Sequence, residues 1–134
     1  MGRISVLLVD DSPTFLEQAR TWLSREEDIE VVGCAVSGDE AIALVGRLRP
    51  RIVLMDVAMP GMNGIEATRR LKLLARPPLV MMVSLDGDPA QRTAAAAAGA
   101  DGFLCKADFA AAVLSTLRAL FRESAEPPAG PGAA

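Results

Sequence analysis

The sequence predicts a doubly wound α/β fold in which helices cover both faces of a five-stranded parallel sheet. Short apolar segments of strand length alternate five times with longer segments of helical periodicity, as in a series of right-handed βαβ units. Three of the apolar segments, at 4–9, 52–55 and 79–83, are continuous rather than alternating. Continuous apolar strands are typical of a sheet that is buried on both faces, which favours parallel pairing.

The predicted elements follow one another in a regular order along the chain. Ser12 is a good N-cap for the first helix with Pro13 at its first position, and Ser37 or Asp39 can cap the second helix. The fourth helix contains the run 94–98 of alanines, which form helix well but offer little apolar area, so we expect it to be loosely held. We expect strands near 4–9, 30–36, 51–55, 79–83 and 101–105, and helices near 13–24, 38–48, 64–75, 89–98 and 108–122.

The fifth helix carries more apolar residues than a single core contact requires. Its apolar side chains fill an arc wider than the roughly 100° of an ordinary core-facing stripe. The edge of that arc, at Leu114 and Phe121, is a candidate surface for a partner or a second copy of the chain. A broadly buried helix is the alternative interpretation.

The length and composition indicate one small domain. The chain has 134 residues, of which 51% are apolar, and this is enough for one hydrophobic core. We expect the domain to span 1–123. Residues 124–134, rich in proline, glycine and alanine, are expected to form a flexible tail or the stump of a linker.

The composition also excludes several classes of function. Histidine is absent, which removes imidazole metal sites, Ser-His-Asp triads and histidine acid-base catalysis. The formal net charge of −3 argues against nonspecific contact with nucleic acid or an anionic membrane. No signal-peptide pattern and no apolar run of bilayer-spanning length occur, so a cytoplasmic location is the default expectation.

Polar groups recur at the points where predicted strands end. Asp10 and Asp11 follow the first strand, Asp56 follows the third, Ser84 the fourth and Lys106 the fifth. In an open parallel sheet, ligands bind outside the carboxyl ends of the strands, near the point where the strand order reverses. We therefore expect these five side chains to meet in one pocket, although each of them alone has an ordinary explanation as a helix cap, a turn residue or a solvated charge.

These groups together can support phosphoryl chemistry. Crowded carboxylates repel one another, and Mg2+, a hard cation that takes oxygen ligands and few protein carboxylates, relieves that repulsion. A lysine ammonium at Lys106 and a hydroxyl at Ser84 can hold phosphoryl oxygens while a carboxylate attacks phosphorus. Asp56 is the candidate nucleophile.

With these residues in place, the chain resembles the receiver domain of two-component response regulators over about residues 4–122. The resemblance implies a flavodoxin-like (βα)5 arrangement with strand order 2-1-3-4-5. It is specific because the motifs occur together, in order, each at a strand end. The motifs are Asp10-Asp11-Ser12-Pro13, Asp56 followed by Pro60, Gly61 and Gly64, Ser84, and Gly99 followed by Phe103 and Lys106.

The resemblance implies a role for each acidic residue. Asp56 would accept a phosphoryl group from the phosphohistidine of a sensor histidine kinase or a phosphotransfer protein. Asp11, Asp56 and the backbone carbonyl of Ala58 would ligate Mg2+, with Asp10 contributing to the metal site through water. The domain would catalyse its own phosphorylation and dephosphorylation without being a dedicated enzyme.

The resemblance also implies a switch. Ser84 and Lys106 would hold the phosphoryl group, and Phe103 occupies the position of an aromatic side chain whose inward or outward orientation reports phosphorylation. An ordinary core aromatic is the alternative for Phe103. The surface of the fourth helix, fifth strand and fifth helix would then bind a downstream effector protein, an output domain or a second copy of the chain.

The predicted strand order has a consequence for the two cysteines. Cys34 and Cys105 would lie on opposite edge strands, four strand spacings or roughly 19 Å apart. A disulfide requires the two Cα atoms to lie within about 7 Å. We therefore expect two free thiols.

Two positions depart from the family pattern. Ala107 follows Lys106 where the family commonly has a cis proline, so we expect a trans peptide bond and a reshaped loop. Leu85 follows Ser84 at a position that is usually small. Its bulk would narrow the path to the phosphoryl group or obstruct the inward movement of Phe103.

Three other functions remain open at this stage. The chain can be the receiver part of a longer DNA-binding transcriptional regulator, or a phosphorylation-independent scaffold, which Ala107 and Leu85 favour. A small-molecule phosphatase with an aspartate nucleophile is the enzyme-class alternative. Such an enzyme would need a second carboxylate two residues after the nucleophile, where this chain has Ala58.

Overall fold

The computed structural model describes residues 3–125 and contains the predicted sheet. Its five strands are all parallel and lie in the order β2-β1-β3-β4-β5, which confirms the flavodoxin-like arrangement. A register shift in the β1–β2 pairing follows Val6, as at a β-bulge. The strands are β1 (Ile4–Val9), β2 (Ile29–Ala35), β3 (Ile52–Asp56), β4 (Leu79–Ser84) and β5 (Gly102–Cys105).

Five α-helices connect or follow these strands. The Ser12 hydroxyl accepts a hydrogen bond from the backbone N–H of Phe15, and the Ser37 hydroxyl accepts one from Glu40, so both predicted serine caps are confirmed. Asp39 lies in the first turn of the second helix instead of capping it. The helices are α1 (Pro13–Ser24), α2 (Gly38–Leu48), α3 (Gly64–Leu71), α4 (Pro89–Ala97) and α5 (Phe109–Ala125).

The sheet separates two hydrophobic cores. Successive residues of β1 alternate between them: Val6 and Leu8 pack on the side of α1 and α5, whereas Leu7 and Val9 pack on the side of α2, α3 and α4. This double burial explains the continuous apolar strands. Within α4 only Ala95 is buried, which agrees with the expectation that this helix is weakly anchored.

The third helix is shorter than predicted. It ends at Leu71 rather than at residue 75, and the backbone N–H groups of Leu73 and Leu74 donate to carbonyls three residues back. Pro77 and Pro78 follow closely, and a proline disfavours helical geometry in the residue before it. The helical pattern therefore continues in the sequence beyond the point where the backbone tightens into turns.

The start of the fifth helix also differs from the prediction. Residues 106–108 form a single 3-10 turn, and α5 begins at Phe109 and continues past the predicted end at 122. No peptide bond within 3–125 is cis, which agrees with the trans bond expected at Ala107. The loop between β5 and α5 thus consists of this 3-10 turn.

The predictions for the cysteines and the fifth-helix edge have different outcomes. Cys34 on β2 and Cys105 on β5 are free thiols on opposite edge strands, as expected. Leu114 and Phe121 are partly buried and pack against the core between the sheet, α1 and α5, so the helix is broadly packed.

Among the helices of residues 3–125, none combines the length and apolar character needed to cross a membrane.

The residue that ends α2 adopts an unusual backbone conformation. Arg49 has φ 50° and ψ 56°, in the left-handed region, while its N–H donates to the carbonyl of Val45. Side chains with a Cβ are disfavoured there, and glycine is the usual residue at such a helix end.

We expect Arg49→Gly to raise the free energy of unfolding by roughly 0.5 to 1 kcal/mol, after allowing for the added freedom of the unfolded chain. Arg47→Gly, which places glycine in the helical last turn of α2, should lower it by about 1 kcal/mol. Urea unfolding of both variants measures the two changes in the free energy of unfolding. If both substitutions lowered it, the backbone strain at Arg49 would be wrong.

Candidate functional site

The carboxyl ends of neighbouring strands bring the three predicted acidic residues together. Carboxylate oxygens of Asp10, Asp11 and Asp56 all lie within 4.8 Å of one another. Asp10 and Asp56 are buried, whereas Asp11 is exposed. The juxtaposition follows from the sheet, because β1 pairs directly with β3 in parallel and both strands end at the same edge.

Lys106 reaches this cluster from the end of β5. Its Nζ lies 2.7 Å from Oδ2 of Asp10 and 3.9 Å from Oδ1 of Asp56. The same ammonium lies 4.5 Å from the ring centroid of Phe15, which adds a cation–π contact. Lys106 is therefore positioned by both a carboxylate and an aromatic ring, with its charge near the Asp56 carboxylate.

The cluster carries more negative charge than Lys106 compensates. Burial and the charge of Asp10 raise the pKa of Asp56 to about 7, and Asp11 adds to the effect. Lys106 and the backbone amide of Ala58 oppose this rise in pKa. Asp10 is held by a second contact, since its Oδ1 accepts a hydrogen bond of 2.8 Å from the backbone N–H of Ser12.

The donor set fits Mg2+. Three carboxylate groups in one small volume offer the oxygen ligands that a hard dication prefers. Burial first, and then the charges of Asp10 and Asp11, raise the pKa of Asp56, and a cation would relieve the part that comes from these charges. Asp11 is exposed, so a cation there can keep several of its waters. Ala58 lies in the exposed loop after β3, and its carbonyl remains a predicted ligand.

Ser84 lies at the end of β4 and is buried, but it contacts a residue that the sequence pattern did not mark. Its hydroxyl donates to Oε1 of Gln91, in the first turns of α4, over 2.7 Å. The backbone N–H of Asp86 approaches the same hydroxyl at 3.4 Å. The predicted switch hydroxyl is therefore already engaged with α4.

Phe103 also contacts α4. It is half-buried beside the core on the α2–α3 side, and the guanidinium of Arg92 lies 4.5 Å from its ring centroid. Gln91 and Arg92 are consecutive, so adjacent residues of α4 hold the two predicted switch positions. A polar pair near a helix start is too common to stand out in a sequence, and only the contacts across the loop reveal it.

Leu85 stands beside the site with its side chain 79% exposed. The side chain thus projects mainly into solvent next to Ser84. Its effect on access to the phosphoryl group stays a prediction.

Comparison with known proteins decides the family. A family model described as "Response regulator receiver domain" matches residues 6–118. The chain belongs to the response regulator receiver family. The recognition from the strand-end motifs is thereby confirmed, together with its place in two-component signalling.

The curated relatives are longer proteins. A protein-glutamate methylesterase/protein-glutamine glutaminase of Shewanella frigidimarina is 40% identical over 104 residues, which are 77% of this chain and 26% of that protein. The transcriptional regulatory protein DegU of Brevibacillus brevis is 32% identical over 117 residues, which are 87% of this chain and 50% of DegU. The chain thus spans between a quarter and half of the length of these relatives.

A solved structure bears on the metal. The CheX-CheY-BeF3-Mg+2 complex of Borrelia burgdorferi contains a chain that matches with a TM-score of 0.81 and 27% identity, covering 88% of this chain and 89% of that one. A receiver with this fold therefore occurs in complex with a partner protein, together with Mg2+ and BeF3. The acidic cluster of the present chain is typical of such a Mg2+ site.

Proposed function

We propose that this receiver accepts a phosphoryl group on Asp56 in a Mg2+-dependent reaction and thereby switches a protein-interaction surface. The observation that carries the proposal is the position of the Lys106 ammonium, 2.7 Å from the buried Asp10 and 3.9 Å from the buried Asp56, at the edge of the acidic cluster. A solvated surface lysine needs no such arrangement. Fixed positive charge beside a carboxylate nucleophile is what phosphoryl transfer requires.

The transfer step uses the residues of this pocket. One oxygen of the Asp56 carboxylate attacks the phosphorus of a phosphohistidine on a sensor kinase or phosphotransfer protein, and the P–N bond breaks. The electron pair of that bond goes to the imidazole nitrogen, which takes a proton from water, so the histidine leaves as neutral imidazole. Lys106 neutralises phosphoryl oxygens during transfer. When bound by Asp10, Asp11, Asp56 and the Ala58 carbonyl, Mg2+ supplies further charge neutralisation. Hydrolysis of the aspartyl phosphate by water returns the free carboxylate and phosphate.

The switch proposal rests on the contact between Ser84 and Gln91. A Ser84 hydroxyl that donates to a phosphoryl oxygen gives up its 2.7 Å hydrogen bond to Gln91. α4 then loses one of its few attachments, because Ala95 is the only residue of this helix that is buried. Arg92 on the same helix contacts Phe103, so the loss is transmitted to the second switch position.

The output remains open between two candidates. The first is an effector protein, or a second copy of the chain, bound by the surface of α4, β5 and α5. The second is an output domain of a longer regulator, with the predicted receiver 1–123 and the predicted tail or linker 124–134, whose first two residues lie in α5. The similarity to DegU, of which this chain spans 50%, favours the second candidate. Residues 126–134 lie outside the residues that the structure describes.

Acetyl phosphate and Mg2+, followed by intact mass spectrometry, test the proposed function. We expect one phosphoryl adduct that disappears with EDTA and in Asp56→Ala, and that persists in the control Asp39→Ala, which removes an exposed acid outside the pocket. Leu85→Ala should form the adduct faster if this side chain narrows access. An adduct on folded Asp56→Ala, or none on the folded wild type with either acetyl phosphate or a phosphohistidine protein, would reject the proposal.

A further inference from the structure

A cleft lies at the opposite end of the sheet from Asp56. It has a volume of about 820 Å³ and is formed by the end of α2, residues 49–51 before β3, and residues 74–78 before β4. Both of these segments lead into the amino ends of strands, whereas the acidic cluster lies at the carboxyl ends. The cleft is therefore separate from the phosphoryl site. Its apolar lining consists of Val45, Pro50, Leu74, Ala75, Pro77 and Pro78.

The charged side chains of the cleft all have one sign. Arg49, Arg51 and Arg76 line it, and no acidic residue does. Within 3–125 none of these three arginines forms a salt bridge. Arg51 is engaged by α5, since its Nη2 donates to Oγ of Ser124 over 2.9 Å and its guanidinium lies 4.8 Å from the ring centroid of Phe121. Guanidinium groups bind carboxylates through two parallel hydrogen bonds, so Arg49 and Arg76 at one cleft favour an acidic ligand.

The backbone of Arg49 supplies an independent observation. Its left-handed conformation is one that glycine adopts without strain, yet an arginine occupies the position, and this residue lines the cleft. Strain of this kind clusters at functional sites, where the side chain contributes something that glycine cannot. At Arg49 that contribution is a positive charge in the cleft.

Exposed leucines accompany the arginines. Large apolar side chains that are at least 39% exposed include Leu48, Leu73 and Leu74 at this end of the molecule. Leu74 lines the cleft, Leu73 precedes it with 81% of its side chain exposed, and Leu48 precedes Arg49. Such apolar groups beside a charged cleft are typical of a protein interaction site rather than of a site for a small anion.

We propose that this cleft is a docking site for an acidic segment of a partner protein that carries leucine-like apolar side chains. Its carboxylates would pair with Arg49 and Arg76, and its apolar side chains would cover Leu74 and the prolines. Nucleic acid fits less well, because the chain has a net charge of −3 and the cleft is lined mainly by apolar residues. Binding is expected to be independent of Asp56, which lies at the other end of the sheet.

NMR titration of the 15N-labelled full chain tests the docking site. The probe is a synthetic peptide of three Glu-Glu-Leu-Leu repeats, and the comparison peptide has serine in place of leucine. We expect saturable shifts at the amides of 45–49, 51 and 74–76 with the leucine peptide, and weaker binding of the serine peptide. Arg49→Gly should stabilise the fold. We expect it to raise the dissociation constant of the leucine peptide about fivefold.

Matched variants separate docking from general charge attraction. Arg47→Ala removes an arginine from the same helix outside the cleft, and Asp56→Ala removes the phosphoryl acceptor; both should bind the leucine peptide as the wild type does. The double variant with Arg49→Gly and Arg76→Ala should raise the dissociation constant of the leucine peptide about tenfold or more. No saturable shift at the cleft, equal binding of both peptides, or equal losses in Arg47→Ala and Arg49→Gly would overturn the proposal.

Discussion

Gly64→Ala is expected to lower the free energy of unfolding by about 3 kcal/mol or more. A Cβ at Gly64 would lie 1.9 Å from the carbonyl oxygen of Asp56 and 2.9 Å from its carbonyl carbon. Both are backbone atoms at the end of the buried strand β3, so neither can rotate away as a flexible side chain can. The backbone at the start of α3 or at Asp56 must therefore move.

Urea unfolding of Gly64→Ala measures this effect, with Gly46→Ala as the matched control. A Cβ at Gly46 would meet nothing within 4 Å, and the residue lies within α2. Alanine there should raise the free energy of unfolding by about 0.5 to 1 kcal/mol, because it forms helix better than glycine. If Gly64→Ala were as stable as the wild type, the close approach of α3 to Asp56 would be wrong.

The same substitution connects the fold to the site. Gly64 donates its N–H to the carbonyl of Val57 over 2.9 Å, and this contact ties the start of α3 to the loop that follows Asp56. Any relaxation that admits a Cβ at Gly64 thus displaces the backbone next to the acceptor. Folded Gly64→Ala should form the Asp56 adduct more slowly, while Gly46→Ala should form it at the wild-type rate.

Gly64 illustrates what the sequence alone could establish. Its place in a glycine-containing loop after Asp56 was recognisable, but the need for glycine comes from the distance to a carbonyl of another element. No local pattern encodes that distance. Gly61, with φ 73°, is the opposite case, because a positive φ in a turn is a local requirement.

The same distinction separates the predicted from the unpredicted parts of the site. Asp10, Asp56 and Lys106 could be placed together from sequence because strand ends in a parallel sheet share one edge. Ser84 was placed at the correct strand end, but its partner Gln91 depends on how α4 packs across the loop. The helix α3 ends at Leu71 rather than at the predicted residue 75, since the helical pattern of the sequence continues into residues whose backbone tightens into turns.

Asp56→Asn is expected to stabilise the metal-free protein at pH 8 by up to about 4 kcal/mol, and hardly at all at pH 4. Burial and the neighbouring Asp10 raise the pKa of Asp56 from its ordinary 3.8 to about 7. Between these two values the folded protein holds a proton that the unfolded chain releases. Each pH unit in that interval therefore costs about 1.4 kcal/mol of stability.

The sign of this effect distinguishes it from acid denaturation. A carboxylate with a lowered pKa contributes stability that is lost as the pH falls. Asp56, with a raised pKa, makes the protein less stable as the pH rises from about 4 to about 7, with a plateau above. Asparagine has a similar shape and no charge. In Asp56→Asn the free energy of unfolding should therefore change little with pH between about 4 and about 7.

Urea unfolding in EDTA across pH 4 to 9 measures this dependence, with Asp39→Asn as the control for removing an exposed acid. The control should keep the wild-type profile. Adding Mg2+ at pH 8 should then stabilise the wild type more than Asp56→Asn, because the cation relieves the same repulsion that asparagine removes. Parallel profiles for wild type and Asp56→Asn would mean that the pKa of Asp56 is not raised, and the electrostatic argument for a cation at this site would fail with it.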